Sequence, residues 1–182
     1  ANDAYLVATY DDLRQVGSLC GSNAVYQQTD TIDATISSSD TAAFVPIGTD
    51  ADSMQPFTGS YHGGGFPIRN LFVRDTSNLH VGLFGWIARG TIDGVTLYNA
   101  RISGSINNVG GVVGYNQGTV SDCNVTGTIS GSRSGYIGGV VGENAGTVAK
   151  SHSFGRIGAD SGSYVGGVVA VNDSAGVVTE CY

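Results

Sequence analysis

A fixed period of 28 residues runs through the second half of this chain, and it limits the fold more than any other feature. The segments VGGVVGYNQGTVSDCNVTGTISG from Val109, IGGVVGENAGTVAKSHSFGRIG from Ile137 and VGGVVAVNDSAGVVTECY from Val165 start 28 residues apart, since 137 − 109 and 165 − 137 are both 28. Asn116, Asn144 and Asn172 keep that spacing. A weaker copy, VGLFGWIARGTIDGVTLYNARISG, starts at Val81, lacks one glycine and carries Ile87 where the others have Asn. Each copy is a set of short β-branched runs separated by glycine or asparagine turns, which is strand chemistry. A unit so short cannot bury its own apolar face. Stacked copies can, with Val112, Val140 and Val168 in one column and each turn covering the backbone edge of the last. The repeat therefore predicts an all-β fold, a right-handed parallel β-helix (β-solenoid) of about five or six turns.

Composition agrees with an ordered, loop-rich β-protein. Glycine supplies 29 of 182 residues and proline 3, and only 13% are charged. The corners of a solenoid need positive φ or close backbone approach, which explains the glycine. The Asn column is expected at such a corner, where Asn tolerates the left-handed region and bonds to the next turn. The net charge of −7 and the lack of any Lys/Arg cluster exclude the phosphate-neutralising surface of a nucleic-acid binder. No apolar run approaches the ~20 residues of a bilayer-spanning helix, so no membrane insertion is expected.

The opening ATYDDLRQVGSL differs in kind. Thr9 followed by Asp12 makes a capping-box-like start, Leu13 and Val16 share a face, and Gly17 is a stop, so a short N-terminal capping helix is expected to plug the first coil. The single domain 1–182 thus divides into an N-terminal cap (1–24), irregular first coils (25–80) and the repeats (81–182). The sequence stops at TECY in mid-repeat, so the last coil is expected to present a bare assembly edge of Val177, Val178, Cys181 and Tyr182, covered by another subunit or a downstream domain. The start at Ala1 fits either signal cleavage or removal of an initiator Met.

The glycine-valine copies VGGVVGYNQGTV, IGGVVGENAGTV and VGLFGWIARGTI resemble the GLUG-repeat family of large bacterial surface and secreted proteins, which includes adhesins and IgA-specific metallopeptidases. The lead-in FVPIGTDADSMQPFTGSYHGGGFPIRNLFV and the opening DDLRQVG are similar to segments that precede such repeats. The resemblance implies architecture rather than activity, because the motif consists of glycine, valine and asparagine. Ala170, where a glycine is expected, and the inserted pair around Asn172-Asp173-Ser174 depart from it.

Catalytic signatures are sparse. His62, His80 and His152 are isolated and none opens an HExxH, and there is no GxSxG elbow. For β-helix polysaccharide chemistry the acids to consider are Asp30 with Asp33, Asp50 with Asp52, and Asp93, with Arg69 and Arg74 nearby in sequence. Asp50-Ala51-Asp52-Ser53 lacks the remaining ligands of a calcium loop. Asp93 and Asp122 occupy nearby repeat places and are expected as a surface ladder that would repel without a cation or water between them. No cofactor and no catalytic residue is assigned.

Cys123 and Cys181 fall at one repeat position with Ser151 between. Two coils at ~4.8 Å each separate them by ~9.6 Å, beyond the ~6.8 Å reach of a disulfide. They are expected as free thiols, and Cys20 would meet Cys181 only across subunits. Trp86, Tyr98, Tyr115, Tyr136 and Tyr164 are candidates either for a sugar- or protein-binding face or for corner packing. The sequons at Asn124 and Asn172 matter only in a eukaryotic secretory route.

Three functions follow as expectations. The first is a non-enzymatic extracellular or cell-surface module, adhesive or structural, that self-associates end to end through its uncapped coil, with a surface glycan or protein receptor as a further partner. The second is a phage virion structural protein, a capsid decoration or tail component on the virion surface. The third is a polysaccharide-degrading β-helix enzyme.

Overall fold

A computed structural model of the chain describes residues 4–17, 24–39, 41, 43–49, 55–105, 108–132 and 135–182. The copies from Val81 and Val109 each become four strands, and in the copy from Ile137 the fourth is split into His152–Ser153 and Arg156–Ala159. In one turn the four are Asn108–Gly110, Val113–Asn116, Thr119–Ser121 and Asn124–Gly131. Each pairs in parallel with its equivalent in the next turn: Val109 lies beside Ile137, Val113 beside Val141, Val120 beside Val148 and Ile129 beside Ile157. All four pairs are 28 residues apart, so the sequence period is the register of the sheets. Three-residue strands survive because their hydrogen-bonding groups are taken by the turns on either side.

The turns build four faces. The first holds seven strands, Tyr5–Val7, Val25–Gln28, Ser60–His62, Thr91–Asp93, Thr119–Ser121, Thr147–Ala149 and Val177–Thr179. The second runs through Pro67–Arg69, Thr96–Gly104 and Asn124–Gly131. The third (His80–Val81, Asn108–Gly110, Tyr136–Gly138, Tyr164–Gly166) and the fourth (Phe84–Ile87, Val113–Asn116, Val141–Asn144, Val169–Asn172) hold four strands each. The solenoid therefore has about four turns bearing all its repeat strands rather than the expected five or six. Upstream, a 3-10 turn at Thr35–Ser38 and the isolated bridges Ile47 to Phe84 and Phe57 to Ile87 stand where full strands would be needed.

One hydrophobic interior runs along the stack. In a single turn Val109, Val112, Val113, Val120, Cys123, Val125 and Ile129 are all buried, each aliphatic side chain contributing about 1.5–3 kcal/mol. At the N-terminal end the helix Tyr10–Gln15 forms with its capping box: Thr9 accepts from the Asp12 amide and the Asp12 carboxylate accepts from the Thr9 amide. Tyr10, Leu13 and Val16 join the core, and Gly17 follows at φ +85°. The helix covers the interior but does not end the sheet. The strand Tyr5–Val7, absent from the sequence reading, lies outermost on the first face with Tyr5 and Leu6 exposed.

The left-handed corner positions are not those expected. Asn116, Asn144 and Asn172 have ordinary negative φ, whereas Gly94, Asp122, Lys150 and Glu180 share one left-handed corner and Asn70 and Asn99 share another. At the first of these corners the amides of Gly94, Asp122 and Lys150 each donate to a carbonyl of the following turn, Ser121, Ala149 and Thr179. That bond offsets the steric cost of the left-handed backbone in Asp122 and Lys150.

Candidate functional site

The Asn column forms a continuous interior ladder. Asn116 Nδ2 donates to Asn144 Oδ1 at 2.7 Å, and Asn144 Nδ2 donates to Asn172 Oδ1 at 2.7 Å. Their carbonyls also accept backbone amides, Gly118 to Asn116 at 3.0 Å and Gly146 to Asn144 at 3.2 Å. Asn116 and Asn144 are completely buried, so these bonds supply the partners that water would otherwise provide. The Val112, Val140 and Val168 column is linked by Val112 N to Val140 O and Val140 N to Val168 O, both 2.9 Å. Both columns build the interior and offer nothing to a ligand.

The assembly-edge residues lie together at the C-terminal end. Val177 and Val178 belong to the last strand of the first face. Cys181 Sγ donates to Thr179 O at 3.1 Å, repeating the pattern of Cys123 to Ser121 O and Ser151 to Ala149 O. Tyr182 lies against the second face: its amide donates to Ser151 O, its carbonyl accepts from Ser153 N, and its ring stacks on His152 at 4.7 Å and 10°. Columns closed elsewhere are open here. Ile137 and Val148 are 0% exposed, while Val165 and Val178, one turn later, are 52% and 39% exposed. Phe154, Tyr164, Val177 and Tyr182 are exposed beside them.

The aromatic candidates divide. Tyr98 stands on the second face under the Arg69 guanidinium, 5.5 Å from its ring centroid. The other four gather along the corner between the third and fourth faces. His80, Asn108, Tyr136 and Tyr164 form one column in register, and Trp86, Tyr115, Glu143 and Val171 form the other. The two columns touch. His80 lies 6.4 Å from Trp86 and 5.2 Å from Tyr115, Trp86 lies 6.3 Å from Tyr115, and Tyr136 lies 5.5 Å from Tyr164. Glycine makes the approach possible: a Cβ on Gly114 would sit 2.6 Å from Val81 N, and one on Gly142 would sit 2.9 Å from Val109 N.

Polar groups hold this stripe. Trp86 Nε1 donates to Gln117 Oε1 at 3.1 Å, Gln117 Nε2 donates to the Tyr115 hydroxyl at 3.1 Å, and Asn108 Nδ2 donates to Glu143 Oε2. Partial burial raises the Glu143 carboxyl above its ordinary range, the Asn108 bond opposes that, and Asp173 adds to it. Burial likewise raises the Tyr115 hydroxyl. His80, Asn108 and Glu143 were missed at the sequence level. The signal was available, because 80, 108, 136 and 164 keep the 28-residue step, as do 115, 143 and 171.

The remaining candidates serve the fold. Asp33 Oδ1 accepts from the Thr35 amide and hydroxyl, which holds its carboxyl below the usual range, and Asp30 Oδ1 accepts from the Thr31 amide. Asp93 and Asp122 make no acidic ladder. Asp93 pairs with Ser121 in register and its carboxylate bonds His62 Nδ1, while Asp122 occupies the next position, the corner equivalent to Gly94. Arg74 is exposed on the second face. Among the described residues no three His, Cys, Asp or Glu side chains come together in a metal-binding group, and Cys20, Asp50 and Asp52 lie outside them. Cys123 and Cys181 are free thiols, one inside the stack and one half-buried at its end.

A match to the family described as the GLUG motif spans residues 105–130, within a single turn. Over 134 residues, 70% of this chain, the sequence is 38% identical to halomucin of Haloquadratum walsbyi, and it spans 2% of that protein's length. A crystal structure from Bacteroides ovatus, of a protein provisionally named an immunoglobulin A1 protease, has the same fold. It matches with a TM-score of 0.70 at 18% identity over 99% of this chain and 75% of that one.

Proposed function

The chain belongs to the GLUG-repeat family, and from that premise we propose that it is a non-enzymatic structural segment of an extracellular surface protein, one that extends by end-on stacking of solenoid segments. The observation that carries this reading is the open C-terminal coil. The columns that are closed at Ile137 and Val148 are exposed at Val165 and Val178, next to the strand edge Val177–Thr179. An apolar interior joined to an unpaired sheet edge is a template for another parallel turn, whether that turn is supplied by the same polypeptide or by a second segment. The first face also ends on a strand at the opposite end, Tyr5–Val7, with Tyr5 and Leu6 exposed. Joining one end to the other makes a heterologous contact, which repeats into a rod rather than closing into a ring.

Similarity to a stretch of halomucin, of which this chain spans 2%, favours a building segment over a self-contained enzyme. Of the acids weighed for polysaccharide chemistry, Asp30 and Asp33 are engaged in turns and Asp93 in the His62 pair, while Asp50 and Asp52 lie outside the described residues; among the described residues no site geometry favours polysaccharide chemistry, and none favours a virion component.

Sedimentation over a wide concentration range, with electron microscopy of the same samples, tests the reading. The wild-type chain is expected to form short rods as concentration rises. Val178→Glu, at a side chain already partly exposed, should leave the circular dichroism spectrum unchanged and keep the protein monomeric. A wild-type chain that stays monomeric throughout, or a Val178→Glu variant that associates equally well, overturns end-on stacking.

A further inference from the structure

The stripe between the third and fourth faces lies outside the apolar interior, and it concentrates the sole tryptophan and three of the nine tyrosines of the chain. Its two columns present His80 and Trp86 in one turn, Asn108 and Tyr115 in the next, Tyr136 and Glu143 in the third, and Tyr164 and Val171 in the fourth. Trp86, Tyr115 and Tyr136 are half-buried and Tyr164 is exposed. Hydrogen bonds through Gln117 tie Trp86 and Tyr115 in place. Rings held in this way lose little freedom on meeting a ligand, which lowers the cost of binding.

Three properties define what fits. The groups repeat every ~4.8 Å along the axis, a step close to the advance per sugar of an extended β-linked glycan, and four turns span about 14 Å between first and last. The ring faces suit the C–H faces of equatorial sugars, while exposed Gln117 and half-buried Glu143 supply donors and acceptors for hydroxyls, and buried Asn108 holds the Glu143 carboxylate from beneath. Neither column contains Lys or Arg, Glu143 and Asp173 lie at the stripe, and the chain carries −7, so a polyanion is repelled.

We propose that this stripe is a binding site for a neutral β-linked glycan lying along the solenoid axis, with Trp86, Tyr115, Tyr136 and Tyr164 as stacking platforms, Gln117 and Glu143 bonding its hydroxyls, and buried Asn108 positioning Glu143. The site meets the open coil only at Tyr164; Trp86, Tyr115 and Tyr136 lie in the three turns before it, so its occupancy does not require end-on stacking.

Because Trp86 is the only tryptophan, its fluorescence reports the site directly. Titration of the full chain with cellohexaose should give a saturable change in Trp86 emission in the millimolar range or below, and polygalacturonate should give none. Tyr136→Ala and Tyr164→Ala should each weaken cellohexaose binding at least about fivefold, with circular dichroism establishing that the variants fold. Tyr98→Ala, on the second face, should bind as wild type. Three results overturn the proposal: no saturable response to cellohexaose, preferential binding of polygalacturonate, or cellohexaose binding that is indifferent to Tyr136→Ala and Tyr164→Ala. Measuring both below and above the concentration at which sedimentation detects rods separates this outcome from that of the stacking reading.

Discussion

The carbonyl oxygen of Gly167 lies 2.1 Å from the point where a Cβ on Gly139 would sit, whereas a Cβ on Gly167 would meet nothing within 4 Å. The two glycines occupy one motif position a turn apart, and only the first is roofed by a following turn. Gly139→Ala is therefore expected to cost about 3 kcal/mol or more, and Gly167→Ala to stay within about 0.5 kcal/mol of wild type. Urea unfolding measures both. Equal losses would mean that the last two turns do not stack as described.

Asn144 sits between two partners in the interior ladder, donating to Asn172 and accepting from both Asn116 and the Gly146 amide. Replacing it with Ala removes these bonds from a site without water, for an expected loss of about 2–4 kcal/mol. Asn172 is exposed at the end of the ladder. Asn172→Ala should cost under about 1 kcal/mol, because Asn144 Nδ2 keeps the Gly146 and Val177 carbonyls as acceptors. Thermal melts of the pair check the ordering.

Burial pushes the Cys123 thiol up to about 12, the Val95 and Ser151 hydrogen bonds opposing it only in part. The thiolate is the reactive species, so folded Cys123 should resist iodoacetamide at pH 8 while Cys181, half-buried at the end, is alkylated. Peptide mass spectrometry after timed quenching distinguishes the two. Labelling of Cys123 at the rate of Cys181, under conditions where the protein is folded, would contradict the buried column.

Glu143 makes stability depend on pH, and its direction follows from desolvation. Its carboxyl is raised in the folded protein above the ordinary value of 4.5. Below that value the group is neutral in both states. As pH rises through the window above it, the unfolded chain releases its proton first, and stability falls until the folded carboxyl has ionised too. Glu143→Gln keeps an acceptor for Asn108 and removes the titration. The Tm of the variant should gain on wild type as pH increases from 4.5, and a constant difference across that range would refute the shift.

The repeat could be translated into contacts because parallel strands in register convert a sequence offset into physical adjacency. A step of 28 residues places Val109 beside Ile137 and Cys123 beside Ser151 without further information, and it equally carried the His80 to Tyr164 column that went unread. The capping box at Thr9 and Asp12 was legible for the same reason: its bonds span three residues. The acidic ladder failed by one residue, since Asp93 aligns with Ser121 and not with Asp122, and a single-residue shift moves a side chain to a different part of the coil.

By itself, then, the sequence determined that the chain winds into stacked parallel turns, which residues share a column, and where the helix begins. Only the tertiary structure decided which columns face each other around the coil. Corner angles depend on how closely backbones approach at glycines such as Gly114 and Gly142, and that closeness brings His80 against Tyr115 and Asn108 against Glu143 across different faces. It also decided that the Asn column turns inward with ordinary backbone angles, because its amides are spent on the neighbouring turns, while Asp122 and Lys150 take the left-handed corner. Periodicity specifies the neighbour above and below, and packing specifies the neighbour to the side.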